Sequence, residues 1–252
     1  DNGIYVIARQ VAFKDPLIAE KHPELAIKDE ETGKPWRGWA GEAWVNPLKK
    51  GLYKPNVDLA VESARLGFDE IQYDYIRFPD GDLSGADFGK DYLDINKRIG
   101  ALTTLLEMTH DALQPRGVKL SADVFGWMLL VDDDQGIGQR FPDIAAVVDY
   151  ISPMVYPSHF PEGSVAVPGH PNDYPYEVIS ISLSLGMAKI PGLELKMRPW
   201  LQDFSLPGMT EYGAAEIRAQ IDASEEAGAS GWMIWNIDAT YVEGAYKLAD
   251  EA

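Results

Sequence analysis

A chain of 252 residues, 46% of them hydrophobic, is long enough for one large domain with a full core, and a (β/α) barrel is a unit of about this length. Its net charge of -18 argues against nucleic acid or anionic membrane as partners, because both need basic patches, and leaves neutral ligands such as sugars open. Cysteine is absent, which excludes disulfides, thiolate catalysis and cysteine metal sites.

Strand-like apolar runs alternate with helical patterns along the chain, which predicts a parallel sheet with crossover helices. Residues 3–13 read as the first strand. A long loop rich in Trp, Gly and Pro covers 14–55. Helical spacing follows over 57–66, with Asn56 as N-cap and Gly67 as stop. The second strand, 68–78, ends in a carboxylate and runs into a Pro/Asp/Gly turn. A helix over 92–113 leads to the third strand, 119–126, and a short helix over 144–148 to the fourth, 149–156. A helix from 175 to 189 precedes the fifth strand, 195–202. A helix over 211–227 precedes the sixth, 231–238, and 242–251 reads as a closing helix. No linker or composition break divides these units, so residues 1–252 are expected to form one domain.

About six βα units are visible, whereas a closed TIM-type (β/α)8 barrel needs eight strands. Either two short strands hide in 14–55, or the first two units lie upstream of Asp1, which is not a Met start. No apolar run approaches the ~20 residues of a membrane-spanning helix.

In a barrel of parallel strands, catalytic acids sit at strand C-termini. Side chains alternate faces along a strand, so Gln72 and Asp74 share one face while Ile71, Tyr73 and Tyr75 share the other, toward the helices. The same parity groups Ser121, Asp123 and Phe125. Two consecutive strands thus each deliver one carboxylate, Asp74 and Asp123, to the same rim. Neighbouring parallel strands lie ~4.8 Å apart, which suits the ~5–6 Å carboxylate separation of a retaining glycosidase. Arg9 ends the first strand and is placed to keep Asp74 ionised, since a nearby cation favours a carboxylate. Arg77, Tyr156, His159, Arg198, Trp200, Gln202, Asn236 and Asp238 follow or end other strands, and Trp44 sits in the long loop beside Trp36 and Trp39. Aromatic faces and planar hydrogen-bonding side chains are what a sugar site needs. Asp238 is the rival to Asp123, and Glu70 reads either as lower in the barrel interior or as a salt-bridge residue. Each of these has a plainer reading as core, ion pair or loop. Asp132, Asp133 and Asp134 lack the Gly and Glu placement of a calcium loop and read as a solvated acidic turn. The four histidines form no zinc signature, so no metal and no cofactor is expected.

The segment GFDEIQYDYIRFP (67–79), with IYVIARQVAFKD (4–15) and WVNP (44–47), resembles a bacterial family of glycoside hydrolases distantly related to α-amylase-type barrels. SADVFGW (121–127), ISPMVYPSH (151–159), RPWLQDF (198–204) and WMIWN (232–236) resemble its later strands in order. The resemblance spans essentially the whole chain. It implies hydrolysis of O-glycosidic bonds in a poly- or oligosaccharide, with Asp74 on the nucleophile strand and Asp123 on the acid/base strand. Amylase-type acids are usually Glu, so Asp123 departs by one methylene, and the reversed assignment of the two roles stays open. The resemblance also implies two further strands upstream. An extracellular or cell-surface location fits the acidic, cysteine-free composition. The alternative is a non-catalytic glycan-binding or cell-envelope barrel domain.

Overall fold

The computed structural model describes residues 2–246. The described residues form two compact units, residues 2–123 with 133–150, and residues 124–132 with 151–246. Both are α/β, and each is built on parallel strands joined by helices.

In chain order the first unit carries β1 (Ile7–Val11), α1 (Pro16–Lys21), β2 (Lys28–Asp29), α2 (Tyr53–Arg65), β3 (Glu70–Asp74), β4 (Ala86–Asp87), α3 (Ile95–Leu113), β5 (Lys119–Phe125, counted here to Asp123) and α4 (Phe141–Val147). β3 lies between β1 and β5, parallel to both, with Arg9 opposite Gln72 and Gln72 opposite Ser121. Every residue of β3 is buried. Its outer face behaves as parity requires for two of three residues. Ile71 is sealed in the core, and the buried Tyr73 hydroxyl meets Thr109 Oγ1 of α3 at 3.0 Å. Leu102, Leu105 and Leu106 of α3 are fully buried, each contributing about 1.5–3 kcal/mol of transfer free energy. Tyr75 does not join them. The strand ends at Asp74, four residues before its expected end, because Tyr75 turns left-handed with φ 49°.

Local chemistry sets the helix ends. Asp94 Oδ1 caps α3 by accepting from Asn96 N–H at 2.9 Å, and Gly117, at φ 70°, releases the chain into β5. Asn56 is not the N-cap of α2. The helix begins three residues earlier, with Pro55 tolerated in its first turn, and Asn56 Nδ2 instead donates back to the Leu52 carbonyl at 3.0 Å. The loop over 14–55 holds α1 and β2, but no barrel stave. β2 pairs antiparallel with β4 in a separate two-stranded sheet.

The acidic turn also departs from expectation. Asp132 is exposed and pairs with Lys189, but Asp134 is buried and takes Arg98 on both oxygens, at 2.6 and 2.8 Å. Its oxygens also accept from Gly136 and Gly138 N–H. Burial pulls this carboxyl upward, yet the guanidinium and the two amides outweigh it and leave it below the ordinary value.

The second unit carries β6 (Tyr150–Met154), α5 (Pro175–Lys189), β7 (Trp200–Gln202), α6 (Ala214–Glu226) and β8 (Met233–Trp235). β7 lies between β6 and β8, parallel to both. Val178, Ile179 and Leu183 of α5 and Ile217 and Ile221 of α6 form its core with Leu201. Pro175 opens α5 at the first helical position, where its missing N–H costs nothing. Glu216 reaches back to the Gly213 N–H at 2.9 Å to start α6, and Gly228 at φ 77° stops it. Of the expected closing helix, Glu243–Ala245 is a single 3-10 turn, and 247–252 lie outside the described residues.

Candidate active site

Three side chains predicted from the sequence meet in the first unit. Arg9 projects from β1, donates through Nη2 to Asp74 Oδ2, and brings Nε to 3.9 Å from Asp123 Oδ2. Both carboxylates are nearly inaccessible, while the Arg9 side chain keeps 38% of its surface. Register explains the meeting. Gln72 faces Ser121, so two residues further on Asp74 and Asp123 fall at the same height on the same face. Behind them that face continues with Glu70, fully buried, which accepts from Ser121 Oγ and from Tyr5 Oη. Glu70 is therefore a deep hydrogen-bonded carboxylate, as its position in the strand suggested.

Asp74 is held on its second oxygen as well. Tyr75 N–H donates to Asp74 Oδ1 at 2.6 Å, and the Asp74 carbonyl accepts from Ala12 N–H at 2.9 Å. Gln139 supports the neighbouring strand end, donating to the Asp123 carbonyl at 3.1 Å and to the Ile76 carbonyl at 3.2 Å. Neither Tyr75 nor Gln139 stood out in the sequence. Tyr75 follows the outward alternation of the strand, and Gln139 lies in a loop 16 residues beyond Asp123 in the sequence.

Trp44 and Arg77 need correction as sugar contacts. Trp44 is 1% exposed, edge-on to Tyr75 at 5.7 Å, and offers no face to a ligand. Arg77 is buried over the Trp44 and Tyr75 rings and paired with Asp80 at 2.7 Å. Burial lowers its guanidinium from the ordinary value, and Asp80 works against that. Gln72 is likewise enclosed, within the strand ladder.

The remaining expected residues lie in the second unit. Tyr156, His159 and Phe204 form a cluster of edge-to-face rings, 5.4–5.8 Å between centroids. His159 reaches the surface there, and desolvation by its neighbours lowers its imidazole pKa. Trp200 of β7 packs edge-on to Trp235 of β8 at 5.9 Å, and the Arg198 stem lies along Gly231. Gln202 is a correction, because it has no surface. Its amide accepts from Ser158 N–H and donates to the Phe204 carbonyl, so it serves the framework. Asn236 donates to the Asp203 carbonyl and accepts from Asp238 N–H, which leaves Asp238 exposed. Asp203, buried just after β7, carries no signal of its own in the sequence. It accepts from Val242 N–H and Tyr246 Oη, both at 3.1 Å, and only these distant partners mark it out. Among the described residues no group of three or more His, Asp or Glu is arranged to hold a metal ion, and no helix is long and apolar enough to cross a membrane.

Residues 1–241 match the family model described as "Putative glycosyl hydrolase domain". The chain belongs to that family. Solved structures agree at the level of fold. The glycoside hydrolase domain of PgaB (BpsB) from Bordetella bronchiseptica superposes with a TM-score of 0.67 at 13% identity, over 94% of this chain and 71% of that one. The catalytic domain of a β-amylase from Paenibacillus polymyxa gives 0.57 at 12% identity, over 94% and 77%. A hypothetical protein from Ruminiclostridium thermocellum is 38% identical over 49% of this chain, which spans 60% of that chain's length, with a TM-score of 0.42. No curated protein matches the chain. The parallel α/β architecture is thus that of TIM-barrel-like glycoside hydrolases.

Proposed function

We propose that this family member cleaves O-glycosidic bonds of a poly- or oligosaccharide with Asp74 and Asp123 as its carboxylate pair. The observation that carries this reading is the single guanidinium of Arg9 in contact with both carboxylates at matching heights on adjacent strands. One guanidinium reaching two acids on neighbouring strands keeps them within several ångströms of each other, and glycosidases use separations of roughly 5–9.5 Å across both stereochemical classes.

Asp74, with a cation on one oxygen and an amide on the other, suits the partner that attacks or stabilises the anomeric carbon. Asp123 then protonates the leaving oxygen and activates water. Two carboxylates on neighbouring parallel strands favour retention. Tyr156, His159, Arg198, Trp200, Asn236 and Asp238 are proposed to contact the sugar chain. The proposal includes one domain over residues 1–252 of (β/α)8 parentage, working outside the cell or at its surface. No nucleic acid partner is proposed, given the charge of -18.

The test is a hydrolysis screen of chitin, chitosan, starch and β-glucan oligosaccharides by reducing-end release, with Asp74→Asn and Asp123→Asn beside the wild type. Cleavage abolished in both variants with sugar binding kept supports the enzyme. Binding without cleavage by the wild type supports a non-catalytic glycan-binding domain instead.

A further inference from the structure

Tyr75 sits in backbone territory that a bulky side chain avoids. At φ 49° it stands in the left-handed region, which costs a non-glycine residue about 1–2 kcal/mol. Such a conformation persists only where its surroundings enforce it. Here the ring is gripped from several directions. Trp44 meets it edge-on at 5.7 Å, Lys14 Nζ lies 4.8 Å from its centroid and the Arg77 guanidinium 5.3 Å. The two cations reach an aromatic ring whose π-face attracts them. Arg77 is itself anchored by Asp80 and the Phe78 carbonyl, and Trp44 is walled into the core. Lys14 and Trp44 lie 30 residues apart in the long loop and Arg77 follows β3, so distant stretches of chain converge on one ring.

The peptide that joins Asp74 to this residue lies against the carboxylate. Its Tyr75 N–H donates to Asp74 Oδ1 over 2.6 Å, so this N–H serves a carboxylate rather than a strand ladder, and the grip on the ring holds the peptide there. Arg9 takes the other oxygen, and the carboxylate plane is fixed at both ends.

We propose that Tyr75 is a positioning residue for Asp74, held in its left-handed turn by the clamp of Trp44, Lys14 and Arg77 so that its backbone N–H orients the carboxylate. This rests on the reading of Asp74 as a catalytic carboxylate. On that reading Trp44 and Arg77 act on the reaction through Tyr75 and not by touching sugar. Misplacing a reacting group by about 1 Å can cost on the order of 10²-fold in rate, so a loosened clamp should be costly.

Two readouts on the full chain test the proposal. The first needs no substrate. In the ¹⁵N-labelled protein the Tyr75 amide proton, bonded to a charged carboxylate, should resonate downfield and exchange slowly. Asp74→Asn should move it upfield. Trp44→Phe and Lys14→Met should move it the same way and speed its exchange. Tyr75→Gly adopts the left-handed turn without strain, so it tests the clamp even if Trp44 variants fold poorly. Its residue-75 amide should exchange faster than in the wild type.

The second readout is kinetic, on whichever panel oligosaccharide the wild type cleaves. Tyr75→Gly and Tyr75→Ala should lower kcat at least about 10-fold with KM unchanged, and Tyr75→Phe should restore it, because only the ring and the N–H are needed. A raised KM at constant kcat, or an equal loss in Tyr75→Phe, would mean direct sugar contact and overturn the proposal. An amide signal indifferent to Lys14→Met and Trp44→Phe overturns the clamp whatever the activity. If the amide responds as expected and the wild type cleaves no glycan, the glycosidase reading fails and the catalytic purpose of the clamp fails with it.

Discussion

Arg9 and Asp74 meet across two parallel strands, although they are not opposite one another. The register partner of Asp74 is Val11, so the Arg9 side chain leans one repeat along its strand to reach the carboxylate. That lean also brings Nε toward Asp123, and one cation serves two strand-end acids.

Neutralising either acid should abolish turnover while sparing the fold. Asp74→Asn and Asp123→Asn keep the side-chain shape and remove its charge. We expect a loss of about 10²–10⁴-fold in hydrolysis, the usual worth of a positioned acid or base, with affinity for the same oligosaccharide kept. Reducing-end release and titration calorimetry on each variant measure the two sides of this statement.

Removing the shared cation should cost stability as well as activity. Arg9→Met leaves two buried carboxylates facing each other. Because the Arg9 side chain is partly exposed, solvent screening limits the expected cost to about 1–2 kcal/mol. A chain of this size loses about 2–4 °C of melting temperature per kcal/mol. Arg9→Lys should recover only part of that, since a point-charge ammonium does not span both acids as a planar guanidinium does. An unchanged melting temperature in Arg9→Met would show that the cation is not needed between the acids.

The pair of Arg98 and Asp134 should dominate acid sensitivity in the first unit. The Asp134 carboxyl lies below its ordinary value in the folded chain. A depressed folded pKa stabilises the protein above the unfolded value, near 3.9, and that stability is lost as pH falls through the folded value. Acid unfolding should therefore set in below about pH 4. In Asp134→Asn much of this pH dependence should vanish, together with about 1–3 kcal/mol at neutral pH, because the half-buried Arg98 loses its carboxylate and keeps only the Tyr92 carbonyl and ring. Urea unfolding at pH 7 and pH 3.5 on both proteins checks the sign. An equal loss on acidification in wild type and variant would count against it.

Gly126, just after β5, has no room for a methyl group. A Cβ there would lie 2.5 Å from the Met154 carbonyl oxygen and 3.0 Å from the Phe160 ring. Backbone cannot yield as a flexible side chain does, so Gly126→Ala should cost about 1–3 kcal/mol by overpacking. Differential scanning calorimetry would show this as a lowered melting temperature. A melting temperature within 1 °C of wild type, about the measurement error, would mean the strand end can shift at no cost.

Much of the site was legible because its signal is periodic. Glu70, Gln72 and Asp74 share a face by simple alternation, Ser121 and Asp123 do the same, and the structure puts both sets on one face of the sheet. What alternation cannot anticipate is where a strand stops. Tyr75 continues the apolar pattern of Ile71 and Tyr73, yet Trp44, Lys14 and Arg77 pull it out of the strand. The same blindness applies to polar residues. Asp134 looks like surface in an acidic run, and Gln202 looks like a ligand at a strand end. Each is buried by partners far away in sequence, Arg98 for the first, Ser158 and Gln220 for the second.

From the sequence alone come the order of strands and helices, their parallel pairing through crossovers, the inward direction of Asp74 and Asp123, and the resemblance to a glycoside hydrolase family. These are properties of local periodicity and of motif, and both are written in consecutive residues. Tertiary structure decided that Arg9 spans both acids, that Trp44 and Arg77 hold Tyr75 and offer no surface to solvent, and that the turn after Asp74 runs left-handed. Those facts depend on strand register and on contacts between segments tens of residues apart. A pattern of alternating side chains reads the same at every register, so only the folded chain selects one.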